Sequence, residues 1–86
     1  MTSPAITVYT LPSCVQCDMT KKWLTSRGLA FETVDLSRDA AAYAAVQELG
    51  YKSAPVVIVA NGAYEAHWSG FQPARLAEHC IGPTGN

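Results

Sequence analysis

Basic residues never gather in this sequence. Six Lys and Arg are spread along 86 residues against seven Asp and Glu, for a formal net charge of −1. Without a basic patch, nucleic acid and anionic membrane surfaces are excluded as partners. Long apolar runs are missing too: nothing approaches the roughly 20 apolar residues of a membrane span. The opening "MTSPAITVYT" has no basic region followed by an apolar stretch, so no signal peptide is expected. A soluble, cytoplasmic protein is the expectation. Cysteine is scarce, at three residues. An odd count, with two of them close together, does not fit the disulfide framework of a small secreted domain. There is no internal repeat and no low-complexity segment.

What is present is mostly core material. Hydrophobic residues make up 49% of the chain and charged residues 15%, the balance of a packed domain and not of a disordered chain. The length allows one domain, taken as residues 1–81, large enough to fold without covalent help. The end "GPTGN" (82–86) is expected to be a flexible tail.

The local pattern alternates strands and helices. "AITVY" (5–9) is β-branched and apolar and reads as a strand. Pro12 breaks it. Ser13 is expected to cap a helix, with Gln16 three residues on as its reciprocal partner. That helix should run from about Cys14 to Arg27 and stop at Gly28. "AFETVDL" (30–36) alternates like a second strand. Ser37 or Asp39 can cap the Ala-rich helix "DAAAYAAVQEL", which Gly50 ends. "VVIVA" (56–60) is a central-strand run, and Asn61-Gly62 signals a hairpin to an antiparallel strand at about 63–68. "SGFQ" reads as a turn, and Pro73 suits the first position of a last helix, 73–81.

The order β-α-β-α-β-β-α joins two strands through a helix, which makes them parallel, and adds an antiparallel hairpin. An α/β fold follows, with a four-stranded mixed sheet and three helices. This is the thioredoxin arrangement.

Cys14 and Cys17, in "LPSCVQC" (11–17), sit where the first strand hands over to the first helix. They admit three readings: a metal clip, a structural staple or a redox pair. A staple closing so short a loop removes little entropy from the unfolded chain. Zinc wants four ligands, and only His67, His79 and Cys80 remain, the last two adjacent and remote in sequence. Thiol–disulfide exchange needs an attacking thiolate and a second thiol to resolve the mixed disulfide. At i, i+3 on a first helical turn the two sulfurs share a face. Cys14, near the first helical position, meets free backbone N–H groups and the positive end of the helix dipole. Such sites hold a thiol pKa well below the free value of about 8.5. Cys14 is therefore expected to attack, and Cys17, one turn deeper and shielded, to resolve. Val15 and Gln16 lie between them.

Other residues take quieter roles. Cys80 reads as a small apolar residue of the last helix. His67 and His79 read as surface or rim residues. Met19, Trp23 and Leu24 read as helix packing, and Asp18, Lys21 and Lys22 as solvated charges. Ala54-Pro55 precedes the central strand; X-Pro bonds are only occasionally cis. In the thioredoxin arrangement a proline here is expected to be cis and to face the cysteines, leaving the Ala54 backbone free for an extended substrate segment.

"CVQC" (14–17) together with "HWSGFQP" (67–73) resembles the NrdH-redoxin family. "ITVYTLPSCVQC", "APVV" and "WSGFQP" fall in that family's order and spacing over nearly the whole chain. The resemblance implies a glutaredoxin-like protein that behaves like a thioredoxin. It implies electron donation to the large subunit of a class Ib ribonucleotide reductase. It also implies re-reduction by a flavin-containing thioredoxin reductase with NADPH. No cofactor bound to the chain itself and a monomer are the expectation. By position, Cys14 is the nucleophile, Cys17 the resolving thiol and Pro55 the cis-proline. Trp68, Ser69, Gly70, Phe71 and Gln72 form the family motif that shapes the docking surface. The motif commonly reads WSGFRP, so Gln72 stands where an arginine is usual, without its fixed charge and five donors. Against glutathione, Thr10 and Leu11 lead into the pair where a lysine would help. "WSGFQP" also fills the place of the Gly-Gly and acidic segment usual in glutaredoxins. Lys52 and the backbone at Pro55 remain as partial glutathione contacts.

Overall fold

The computed structural model describes residues 4–62 and 64–81. Its elements run β1 (Ala5–Thr10), α1 (Val15–Ser26), β2 (Glu32–Asp35), α2 (Ala40–Glu48), β3 (Val56–Asn61), β4 (Tyr64–Ser69) and α3 (Pro73–Leu76), which continues as a π-helical turn (Ala77–Ile81). The strands lie in the order β2-β1-β3-β4, with β1 and β2 parallel and the other pairs antiparallel. The expected four-stranded mixed sheet with three helices is present. The expected tail, 82–86, lies outside the described residues. Among the described residues no helix is long and apolar enough to cross a membrane.

β3 explains why its run is apolar without alternation. Successive side chains of a strand point to opposite faces, and both faces of β3 are covered. Val57 and Val59 pack with Ile6 and Val8 of β1, Leu24 of α1, Trp68 of β4, Leu76 of α3 and Cys80. Val56 packs on the other face with Leu36 and Val46 of α2. Strands buried on both faces read as continuous hydrophobic runs.

The helices end as their glycines dictate. Gly28 has φ +70, donates to the Thr25 carbonyl, and lets Leu29 donate to the Leu24 carbonyl. Gly50, φ +95, does the same for α2, with Tyr51 bonded back to Val46. These paired bonds satisfy carbonyls that the last helical turn leaves free, and they need a left-handed residue that glycine adopts without strain. α2 starts at Asp39, whose carboxylate accepts from the Ala42 N–H at 3.0 Å. Ser37 instead closes a turn on Asp35: its hydroxyl (2.6 Å) and N–H (2.9 Å) both donate to that carboxylate and hold its pKa below the usual range.

Three expectations are corrected. Ser13 is not the cap of α1: its φ of 57 is left-handed, whereas a capping residue needs extended backbone. Cys14, at φ −112 and ψ 107, is the cap, so α1 begins at Val15. The hairpin is shifted by one residue: Asn61 stays in the ladder, paired with Tyr64, and β4 runs from there. β2 is shorter than 30–36, because its pairing with β1 starts at Thr7–Glu32 and ends at Thr10–Asp35.

Candidate active site

β1 ends at Thr10, and the Pro12-Ser13 turn delivers Cys14 to the start of α1. The Cys14 sulfur takes the place a serine oxygen fills at many helix starts: it accepts the Cys17 backbone N–H at 3.1 Å. A sulfur held there faces the unsatisfied N–H groups of the first turn and the positive end of the helix, and both favour a thiolate. Cys17 is 1% exposed, while Cys14 is half-buried. The two are joined as a disulfide, with Cα atoms 5.2 Å apart. The arrangement pairs one reachable sulfur, set against hydrogen-bond donors, with one that only its neighbour can reach.

Two further segments meet this end of the sheet. Tyr9 pairs with Val56, so the antiparallel register carries the Ala54-Pro55 bond alongside the end of β1. That bond is cis. Ser69 pairs with Val56 from the other side, its hydroxyl donates to the Ser53 carbonyl (3.0 Å), and the Gly70 N–H donates to the Pro55 carbonyl (2.8 Å). Gln16 then ties α1 to the same turn: its side-chain oxygen accepts the Phe71 N–H at 2.9 Å. It does not return to the helix start, because the cap has moved to Cys14 and the third helical position is Cys17.

The "WSGFQ" residues divide by burial. Trp68 is 3% exposed and belongs to the core, where its ring lies against His79. It offers no surface to a partner and instead anchors the turn. Phe71 and Gln72 are half-buried. Gln72 donates to the Ser69 carbonyl (2.8 Å) and accepts from the Arg75 guanidinium (3.2 Å), so here it closes the turn by its own hydrogen bonds. Gly70 sits at φ +89, and a Cβ there would come within 3.3 Å of the Gln16 side-chain oxygen. We expect Gly70→Ala to destabilise the protein by about 1–3 kcal/mol in urea unfolding, from left-handed strain and the displaced Gln16.

His67 and His79 are held by Tyr51 and Tyr64, each through Nδ1. Among the described residues no three His, Cys, Asp or Glu side chains gather where one metal ion would sit. Cys80 is buried in the main core, and burial pushes its thiol pKa up to about 11. A thiol whose folded pKa is raised gives stability that is complete below the unfolded value and lost as pH rises through the folded one. Unfolding measured from pH 8 to 11 is therefore expected to show up to about 2 kcal/mol of loss that Cys80→Ala removes. The same thiol should resist alkylation at pH 8 until denaturant is added.

A pocket of about 290 Å³ flanks the site, lined by Leu11, Tyr51, Lys52, Ser53 and Ala54 on its near side and by α2 residues on its far side.

The glutaredoxin family model matches residues 6–64, which take in β1 from its second residue, both cysteines, the cis-proline and the start of β4. The chain belongs to the glutaredoxin family. Within it, the glutaredoxin-like protein NrdH of Lactococcus lactis subsp. lactis is 36% identical over 73 residues, 85% of this chain and 96% of that protein. NrdH of Escherichia coli K12 is 41% identical over 68 residues, 79% of each. The solved structure of the Escherichia coli NrdH-redoxin superposes with a TM-score of 0.73 at 39% identity, covering 84% of this chain and 90% of that one. That glutaredoxin-like protein is described as having a thioredoxin-like activity profile. The chain is thus an NrdH-type glutaredoxin-like redoxin, and its Cys14–Cys17 pair is that of a thiol–disulfide oxidoreductase.

Sequence reasoning missed the cap at Cys14 and the bond from Gln16 to Phe71. The second spans 55 residues, and no local pattern signals it. The first had half a signal: Pro12 suits the start of a turn, but a left-handed second residue is usually Gly or Asn and here is Ser13.

Proposed function

We propose that this redoxin passes electrons from thioredoxin reductase to the large subunit of a class Ib ribonucleotide reductase in the cytoplasm. The observation that carries the chemistry is the Cys14 sulfur capping α1 beside a buried Cys17. In the reduced protein the Cys14 thiolate attacks one sulfur of the client disulfide. A Cys14–client bond forms, and the client's other sulfur leaves as a thiolate that takes up a proton. Cys17 then loses its proton and attacks the Cys14 sulfur. The second client sulfur leaves as a thiolate and is protonated, and the Cys14–Cys17 disulfide remains. Two electrons have passed to the client. NADPH restores them through the reductase's flavin, so the redoxin holds no cofactor.

The choice of reductase rests on the NrdH relatives and on the thioredoxin-like profile described for the Escherichia coli protein. One observation favours a second reading. The pocket beside Ala54 carries a cation, Lys52, which suits one carboxylate of glutathione. The two are separated by NADPH oxidation in a coupled disulfide-reduction assay. One arm holds thioredoxin reductase, the other glutathione with glutathione reductase. Turnover confined to the first arm is expected. Turnover confined to the second would make this protein a glutathione-dependent glutaredoxin.

A further inference from the structure

α1 carries a stripe that core packing uses only in part: Trp23 packs its inner edge on the core, and the rest is open. Val15, Met19, Lys22, Trp23 and Ser26 follow one another at helical spacing along one side. Val15 is 72% exposed and Met19 42%. With Phe71 from the turn and Arg27 past the helix end, the last four of these line a shallow groove of about 360 Å³. Its apolar lining is Met19, Trp23 and Phe71. The Arg27 guanidinium lies 3.9 Å over the Trp23 ring, an arrangement that leaves its charge facing solvent. Among the described residues neither Lys22 nor Arg27 is in an ion pair, and no lining residue is acidic. Asp18 stands nearest in sequence and is paired with Lys21 at 3.6 Å.

The groove starts where the chemistry ends. Phe71 is bonded to Gln16, between the two cysteines in sequence, and the stripe leads away from Cys14 down α1. From Val15 to Ser26 a helix rises about 17 Å, the span of roughly five extended residues. We propose that this groove takes the segment of the client next to the disulfide under reduction, an extended stretch with one or two large apolar side chains and acidic neighbours. The apolar side chains cover Met19, Trp23 and Phe71, and the carboxylates meet Lys22 and Arg27. This rests on the thiol–disulfide exchange proposed above and deepens it, because it names the chemistry that selects the client.

The test needs no reductase. Pre-reduced protein is mixed with synthetic peptides that each hold one internal disulfide and a five-residue flank of Leu, Phe and three variable positions. The variable positions are Glu, Gln or Lys, and the flank is placed before the disulfide in one set and after it in another. Single-turnover rates are read by mass spectrometry. In at least one set the Glu peptide should be reduced about 10-fold faster than the Lys peptide at low ionic strength, with Gln between, and the ratio should shrink in 0.5 M salt. In the double variant Lys22→Glu/Arg27→Glu the order should invert. Equal rates for the three flanks in both sets, or an order that survives the double variant, would overturn the groove while leaving the redox chemistry intact. Failure to reduce any peptide would overturn the exchange reaction itself, and the groove proposal with it.

Discussion

Cys14→Ser is expected to drop disulfide reduction to the rate seen without protein, a loss on the order of a thousandfold or more. The measurement is NADPH oxidation coupled through thioredoxin reductase with a protein disulfide as client. The reason is positional. Of the three cysteine sulfurs, only that of Cys14 is both partly accessible and placed against a helix-start N–H, at 3.1 Å. Cys17 and Cys80 are each 1% exposed. A serine at position 14 would keep the capping acceptor, and so preserve the helix, while removing the nucleophile. The variant should therefore unfold in urea like the parent. A dead, folded protein separates loss of chemistry from loss of structure.

Cys17→Ser gives the opposite signature. The donor to the Cys14 sulfur is the backbone N–H of residue 17, which the substitution leaves in place. The attacking thiolate keeps its environment, so the first step proceeds. The second step has no thiol to carry it out, because Cys80 sits in the core. Client should accumulate as a covalent adduct at close to one per redoxin, visible on a non-reducing gel and released by dithiothreitol, while steady-state turnover falls to near background. Adduct through Cys80, or none at all, would contradict the assigned roles.

Much of this was legible because local rules and global fold agree. The helix stops at Gly28 and Gly50, the apolar β3 run and the Pro73 start each follow from one residue type in one place. Their order alone leads to the mixed sheet. The two-cysteine spacing left a metal clip open, and it pointed to redox chemistry only with its place between strand and helix and the want of a second ligand pair. What escaped depended on the geometry of one turn and on contacts between distant segments. Ser13 has a good capping side chain, but the turn that aims Cys14 needs a left-handed residue at that position, and turn geometry wins over cap propensity. Gln16 was then free for the Phe71 N–H, which becomes its partner only once β4 and the following turn have packed beside α1. Trp68 read as docking surface because it belongs to a motif next to the site. The alternation of β4 turns it inward instead, onto Val57 and Val59.

The role of Gln72 follows from the same kind of contact. Its amide donates to Ser69 and its oxygen accepts from Arg75, so the turn is closed without an arginine at position 72. The positive charge in this neighbourhood is carried by Arg75, one helical turn further on.

The central claim is that Cys14 carries the reactive thiolate. The most direct test is to alkylate the reduced protein with iodoacetamide across pH 5 to 9 and map the modified cysteine by peptide mass spectrometry. The account predicts that Cys14 is labelled first, with a rate that reaches half its plateau well below pH 8.5, the free-thiol value being about 8.5. Cys17 should follow slowly, and Cys80 only after unfolding. First labelling at Cys17 or Cys80, or a Cys14 rate that rises only at the pH of a free thiol, would contradict it.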